Sequence, residues 1–125
     1  MRRLILILLI ATALSGCRES TQNAPAGDAI TIEMEAAAQT TGASELTVTL
    51  TDAQGAPVEA QKVEARGDMT HAGMAPVLAE TAEGKNGMYV IPFEWTMSGD
   101  WIVTVTITLA DGTTAEKRFN LSIRD

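Results

Sequence analysis

Apolar and polar residues alternate with a period of two along much of the chain after residue 28. In the segment from Trp101 to Leu109, every second residue is a large apolar one and most of the residues between them are threonines. Such alternation predicts β-strands with one buried face, and threonine suits the outer face of a pleated sheet. The predicted strands, four with clear alternation and three shorter, are residues 30–34, 46–50, 61–66, 77–82, 88–95, 101–109 and 119–123.

Turn-forming residues separate these predicted strands. Asp52–Pro57 predicts a turn, and Asn86-Gly87 and Asp111-Gly112 are pairs that suit primed hairpin turns, in which φ is positive. About seven strands with a turn roughly every 8–12 residues are typical of an immunoglobulin-like sandwich. We therefore predict an all-β fold, an antiparallel two-sheet immunoglobulin-like sandwich of about seven strands. A closed eight-stranded barrel is the alternative, although these strands are few and unequal in length.

The first 17 residues carry the features of an export signal. Two arginines precede an apolar run that begins at Leu4 and is too short to span a bilayer on its own. The sequence from Leu14 to Cys17 resembles the bacterial lipobox, in which signal peptidase II cleaves before a cysteine that is then lipidated. An incidental cysteine beside a short membrane anchor is the other interpretation.

Three parts are therefore expected: a lipoprotein signal peptide over residues 1–16, a lipidated Cys17 with a flexible tether over 17–27, and a folded domain over 28–125. An acyl chain such as palmitate on Cys17 would tether a periplasmic protein to a bacterial membrane. Arg18 stands where an aspartate is associated with inner-membrane retention, which slightly favours the outer membrane.

The composition excludes several classes of function. The chain of 125 residues has 9 basic and 16 acidic residues, a net charge of −7, and no basic stripe for nucleic acid. Its one cysteine excludes a disulfide framework, and its one histidine excludes a two-histidine zinc site. Because no nucleophile elbow or paired-acid arrangement stands out, we do not expect an enzyme.

A short segment between the third and fourth predicted strands holds the candidate chemistry, namely Met69, His71 and Met74. In an extended chain Met69 and His71 leave the same face, and the Ala-Gly pair that follows lets Met74 turn back toward them. Thioethers and imidazole are soft or borderline donors that select Cu(I) over Mg²⁺, Ca²⁺ or Zn²⁺. Met97 would supply a fourth donor if its loop lies at the same end of the sandwich, and Met88 is a weaker candidate. Methionines at loop–core junctions also serve as simple packing residues.

Five short motifs follow one another in a characteristic order: Asp52-x-x-Gly55-x-Pro57-Val58, Val63-Glu-Ala65, His71-Ala-Gly-Met74-Ala-Pro76, Gly87-Met-Tyr89 and Met97-Ser-Gly99-Asp-Trp101. From about residue 44 to 110, the chain resembles the YtkA-like family, which is related to FixH-like domains. The resemblance implies a small exported or membrane-tethered β-sandwich associated with copper handling or with assembly of copper-containing oxidases. It also implies that Met69, His71, Met74 and Met97 fall where methionine and histidine recur in such domains.

The resulting hypothesis is a lipid-anchored sandwich that binds Cu(I) through Met69, His71, Met74 and Met97 and serves a copper-transport or oxidase-assembly protein as carrier or accessory factor. Because imidazole coordinates metals only when neutral, affinity should fall below about pH 6.5. The alternative is a metal-free interaction module in which a sheet edge docks on a membrane protein complex. A third hypothesis, binding of carbohydrate or peptide, needs an exposed Trp95 or Trp101; both are expected in the core.

Overall fold

The structure, a computed structural model, describes residues 29–125, and these form two packed β-sheets. The strands are β1 (Thr31–Ala36), β2 (Gly42–Thr51), β3 (Lys62–Met69), β4 (Val77–Thr81), β5 (Gly84–Lys85), β6 (Met88–Trp95), β7 (Gly99–Thr108) and β8 (Thr114–Ile123). One antiparallel sheet has the order β1-β2-β6-β5 and the other the order β4-β3-β7-β8. The predicted all-β two-sheet sandwich is confirmed, and the closed barrel is wrong.

The predicted signal peptide (1–16), Cys17 and the tether (17–27) lie outside the described residues. Within residues 29–125, no helix is long and apolar enough to cross a bilayer.

The core lies between the inner faces of the two sheets, as the alternation predicts. From Leu46 in β2 and from Trp101 in β7, every second side chain is buried, for example Val48 and Leu50 in β2 and Val103 and Val105 in β7. The residues between them are mostly threonines that are only partly covered. Burial of these aliphatic side chains, at about 25 cal/mol per Å² of apolar surface, is the main stabilising term.

Three aromatic rings fill one end of this core. Phe93 and Trp95 have ring centroids 4.8 Å apart, and Trp95 packs edge-on against Trp101 at 5.4 Å. Both tryptophans are only 1% exposed, so their prediction as core residues is confirmed and the exposed-indole hypothesis is wrong. Gly67 of β3 leaves room for the rings: a Cβ there would lie 2.6 Å from Phe93 Cζ and 3.2 Å from Trp101 Cε3.

The two predicted primed turns have different outcomes. Asn86 and Gly87 both have positive φ, 53° and 74°, as a type I′ hairpin turn requires. The Asp111-Gly112 prediction is wrong, because only Gly112 has positive φ, and its N–H donates to Leu109 O at 2.9 Å. That geometry is a type I turn followed by a glycine bulge. The Asp111 carboxylate stabilises it by accepting hydrogen bonds from the hydroxyl and the backbone N–H of Thr113, at 2.6 and 2.9 Å.

Candidate metal centre at the sandwich rim

The strand register brings the predicted ligands to one end of the sandwich. β3 ends at Met69 opposite Trp101 of β7, while β6 ends at Trp95 opposite Gly42 of β2. The β3–β4 loop (residues 70–76) and the β6–β7 loop (residues 96–98) therefore leave from the same end, which we call the rim. The condition set for Met97, that its loop lies at this end, is met.

Met69 is the inner member of the predicted set, with 8% of its surface exposed. It is directly opposite Trp101 in the antiparallel register, so both side chains lie on the inner face of their sheet. Its terminal methyl carbon, Cε, lies 3.1 Å from the position that a Cβ would occupy on Gly99. The thioether of Met69 is therefore packed against the first residue of β7, two positions after Met97.

His71 and Met74 lie on the loop that continues from Met69. The loop is attached at its start, because the Thr70 N–H donates to Asp100 O at 3.1 Å. Because β3 ends at Met69, the period of two does not extend to His71, which is exposed while Met69 is buried. The extended chain on which the expected shared face of these two side chains depends therefore ends before His71. Gly73 has a φ of 83°, as expected for a glycine that lets the loop turn, and Met74 is 39% exposed.

Met97 lies on the facing loop with 44% of its surface exposed. Its backbone carbonyl accepts a hydrogen bond of 3.0 Å from the buried indole N–H of Trp101. A buried indole N–H needs an acceptor, so this bond holds the peptide of Met97 in place. The rim thus combines one sheltered thioether, two exposed thioethers and one exposed imidazole.

Two further methionines belong elsewhere. Met88 opens β6 at the end opposite Trp95, and it is 51% exposed rather than turned toward the core. Met34 of β1 is partly buried and packs against the core. Within residues 29–125, no three His, Cys, Asp or Glu side chains lie together as a metal-binding group. The donors gathered at the rim are the thioethers and the imidazole.

The charged side chains next to Met69 along β3 point away from it. Arg66 Nε donates to Asp68 Oδ2 at 2.9 Å on the outer face of the sheet. The hydrogen bond and the charge of Asp68 raise the pKa of the Arg66 guanidinium above its ordinary value. The Asp68 carboxylate is therefore paired with Arg66 on the outer face of the sheet, whereas Met69 lies on the inner face.

Sequence reasoning missed two contacts at the rim, the hydrogen bond from Trp101 to the Met97 carbonyl and the packing of Met69 against Gly99. The signal that was present is the spacing Met97-Ser-Gly99-Asp-Trp101. Gly99 lies between Met97 and Trp101, and because it has no side chain it leaves space for the side chain of Met69.

Solved structures share this fold at low sequence identity. Two structures of superoxide reductase (neelaredoxin) from Ignicoccus hospitalis match with TM-scores of 0.55 and 0.54 and identities of 11% and 12%. Each match covers 76% of this chain and 79% or 80% of the other chain. At such identities the likeness extends to the fold alone.

Sequence comparison adds one family. No curated protein matches the chain. The family model described as YtkA-like matches residues 23–106, which include β1 to β6, most of β7 and all four predicted rim ligands.

Proposed function

This chain belongs to the YtkA-like family, and on that premise we propose that it is an exported, lipid-anchored sandwich that binds Cu(I) at its rim. In this proposal the bound ion is cargo, which the domain carries as a copper carrier or accessory factor. The proposed ligands are the sulfur atoms of Met69, Met74 and Met97 and one imidazole nitrogen of His71.

The chemistry of the donors supports Cu(I) over other ions. Neutral thioether sulfur is a soft ligand that binds Cu(I) and has little affinity for Mg²⁺ or Ca²⁺. A set of thioethers and one imidazole contains no thiolate, so it is not lost to disulfide formation in an oxidising compartment. The acidic net charge of −7 favours accumulation of a cation near the protein.

The single observation that carries the proposal is the packing of Met69 against Gly99. This contact brings the end of β3 against the strand that follows the Met97 loop, and His71 and Met74 continue directly from Met69. Four soft or borderline donors thus come from one end of the sandwich, one from the last residue of β3 and three from two adjacent loops. The partial exposure of Met74 and Met97 supports a carrier, because an incoming ligand of a partner can replace exposed thioethers one at a time.

We propose a carrier rather than an enzyme, because the rim holds the only histidine of the chain and no paired general acid and base. The family match itself names no activity. The superoxide reductases share only the fold with this chain, so their activity gives no support for an activity of this protein.

Attachment to a membrane through Cys17 and a periplasmic location remain part of the proposal. They rest on the order of charged, apolar and small residues before Cys17. A Cys17→Ser variant should no longer incorporate labelled palmitate and should keep its signal peptide. Incorporation of label equal to that of the wild type would contradict the anchor.

Cu(I) titration against a chromophoric competing chelator, without oxygen, tests the metal site. A Met69→Leu/His71→Ala/Met74→Leu triple variant should bind Cu(I) more than about 100-fold more weakly, since even second-shell changes cost about 10–100-fold in metal affinity. Met88→Leu is the matched control, because it removes an exposed thioether at the opposite end of β6. Equal affinity in the wild type and the triple variant would reject these ligands.

A second candidate function, a metal-free interaction module, is supported by Leu78. This residue lies on β4, an edge strand, and is 69% exposed. Beyond Tyr89, where β5 no longer pairs with it, β6 lies beside β4 of the other sheet. An exposed apolar side chain at a sheet edge can contact a partner protein.

Complementation of cells that lack the protein would separate the two functions, with activity of a copper-dependent terminal oxidase as the readout. The carrier requires that the triple ligand variant fails and that Leu78→Glu complements. The interaction module requires that Leu78→Glu fails and that the triple ligand variant complements. Val90→Glu, which also adds a charge at a partly exposed apolar position, is the control for Leu78→Glu.

A further inference from the structure

We propose that Trp101 is a positioning residue for the rim, because one buried indole holds both the Met97 loop and the Met69 side chain. The inference rests on the proposed Cu(I) site and adds how that site is organised before an ion arrives. Trp101 does not itself touch the ion in this proposal; it acts through the two methionines.

The first contact is the hydrogen bond from Trp101 Nε1 to the carbonyl oxygen of Met97, 3.0 Å long. The indole is shielded from water, so no solvent molecule competes for the N–H and the carbonyl is its acceptor. The peptide at Met97 is consequently tied to the core even though the methionine side chain is exposed. Without this bond the loop of residues 96–98 would be joined to the sheets only at its two ends.

The second contact concerns Met69, which faces Trp101 directly across the β3–β7 ladder. Side chains at such positions have their Cβ atoms about 4.5–5.5 Å apart, close enough for a thioether to pack on an aromatic ring. On its other side Met69 reaches Gly99 with its Cε atom. The Cε atom of Met69 thus occupies the space that a side chain at Gly99 would need, and Trp101 is its cross-strand neighbour.

Trp101 can serve as such a support because its own ring is held in place. Two of its ring carbons lie 3.2 and 3.3 Å from the Cβ position of Gly67, and Trp95 packs against it at 5.4 Å. The ring therefore has no room to rotate without displacing the aromatic cluster. Met69 and the Met97 peptide form a preorganised half of the site, while His71 and Met74 lie on a loop outside the sheets.

Trp101→Phe and Trp95→Phe form a matched pair for the test. Both tryptophans are equally buried, and each donates its indole N–H to a backbone carbonyl near the rim, Trp101 to Met97 and Trp95 to Ala38 at 2.9 Å. Phenylalanine keeps a ring and removes the N–H in both cases. Trp101→Phe should weaken Cu(I) binding about tenfold or more, as second-shell losses do, and Trp95→Phe, which keeps a ring beside Trp101, should weaken it clearly less.

Methionine methyl NMR of the metal-free protein gives a readout that general destabilisation does not move. The Met97 ε-methyl signal should shift or broaden more in Trp101→Phe than in Trp95→Phe, because only the former removes the hydrogen bond to the Met97 carbonyl. Both variants are measured well below their unfolding temperatures, with circular dichroism as the check of folding.

A second pair covers the case in which Trp101→Phe does not fold. Gly99→Ala and Gly42→Ala carry the same backbone strain, since φ is 131° and 110°, and both glycines begin strands at the rim. Only at Gly99 would the new Cβ meet Met69; at Gly42 nothing lies within 4 Å. Gly99→Ala should therefore weaken Cu(I) binding more than Gly42→Ala does.

The outcomes separate the two proposals. If the wild type binds Cu(I) and each pair shows equal affinities within itself, the positioning role is overturned and the proposed function stands. If the wild type binds no Cu(I), the proposed function fails and the positioning role falls with it. Selective weakening in Trp101→Phe, or in Gly99→Ala where the former does not fold, supports both.

Discussion

Gly67→Ala is the sharpest test of how tightly the aromatic cluster at the rim end of the core is packed. Gly67 lies in the middle of β3 and is buried, and its φ is not in the left-handed region, so alanine meets no backbone strain there. The added methyl would lie 2.6 Å from Phe93 Cζ and 3.2 Å from Trp101 Cε3. Contacts under about 3 Å force movement, and both rings are buried with no flexible end to move aside.

The expected magnitude follows from two opposing terms. Inserting a methyl group into a filled core costs about 1–3 kcal/mol in the free energy of unfolding. Replacing glycine by alanine restricts the unfolded chain, which by itself raises the free energy of unfolding by about 0.4–1 kcal/mol. The net loss should be about 1–2 kcal/mol. For a domain of this size, each 1 kcal/mol corresponds to about 4–8 °C, so Tm should fall by roughly 4–16 °C.

Thermal unfolding by circular dichroism measures this loss, and Phe93→Leu provides the control. Leucine has no atom at the position of Phe93 Cζ, so the shortest contact of the new methyl disappears. Gly67→Ala should then cost clearly less in the Phe93→Leu background than in the wild type. An unchanged or raised Tm for Gly67→Ala, or an identical cost in both backgrounds, would refute the packing argument.

Three further outcomes are expected. On addition of Cu(I), the ε-methyl signal of Met97 should shift while that of Met88, at the opposite end of β6, stays in place; a shift of both alike would contradict a rim site. Tyr89→Phe should lower the free energy of unfolding by about 1–3 kcal/mol in urea titrations, because the hydroxyl accepts from the N–H of Ala60, in the β2–β3 connection, at 2.7 Å and donates to its C=O at 3.1 Å. The Thr113 hydroxyl and backbone N–H lower the pKa of Asp111, so the stabilisation they give is present above the ordinary carboxyl pKa and is lost as the pH falls through the lowered one. Thr113→Val should raise that pKa in an NMR titration, and an unchanged value would show that the hydroxyl is not the main cause.

Strand prediction succeeded where alternation marks a buried face and failed where it does not. β6 was predicted with the bounds that the structure has, 88–95, because its buried and exposed residues alternate without a break. β8 begins at Thr114 rather than at 119, since its polar start, which includes Lys117, pairs with β7 without burying large side chains. β5 was missed because two residues cannot show a period; it forms because the Asn86-Gly87 turn folds it back on β6.

The amino-acid sequence by itself determined the fold class and the type of ligand the protein can offer. Strict alternation with turns leaves a sandwich as the way to bury one face of each strand, and the set of thioethers with a single histidine favours a soft ion. Both follow from local pattern and composition, which need no knowledge of distant contacts.

Only the tertiary structure decided which methionines come together and what supports them. Both Met97 and, more weakly, Met88 are candidate donors along the chain, but the β6–β7 connection places Met97 at the rim while Met88 begins β6 at the other end. Likewise Met69 is sheltered because Trp101 and Gly99 on another strand surround it. Register across a ladder sets these contacts, and register depends on pairing between segments far apart in sequence.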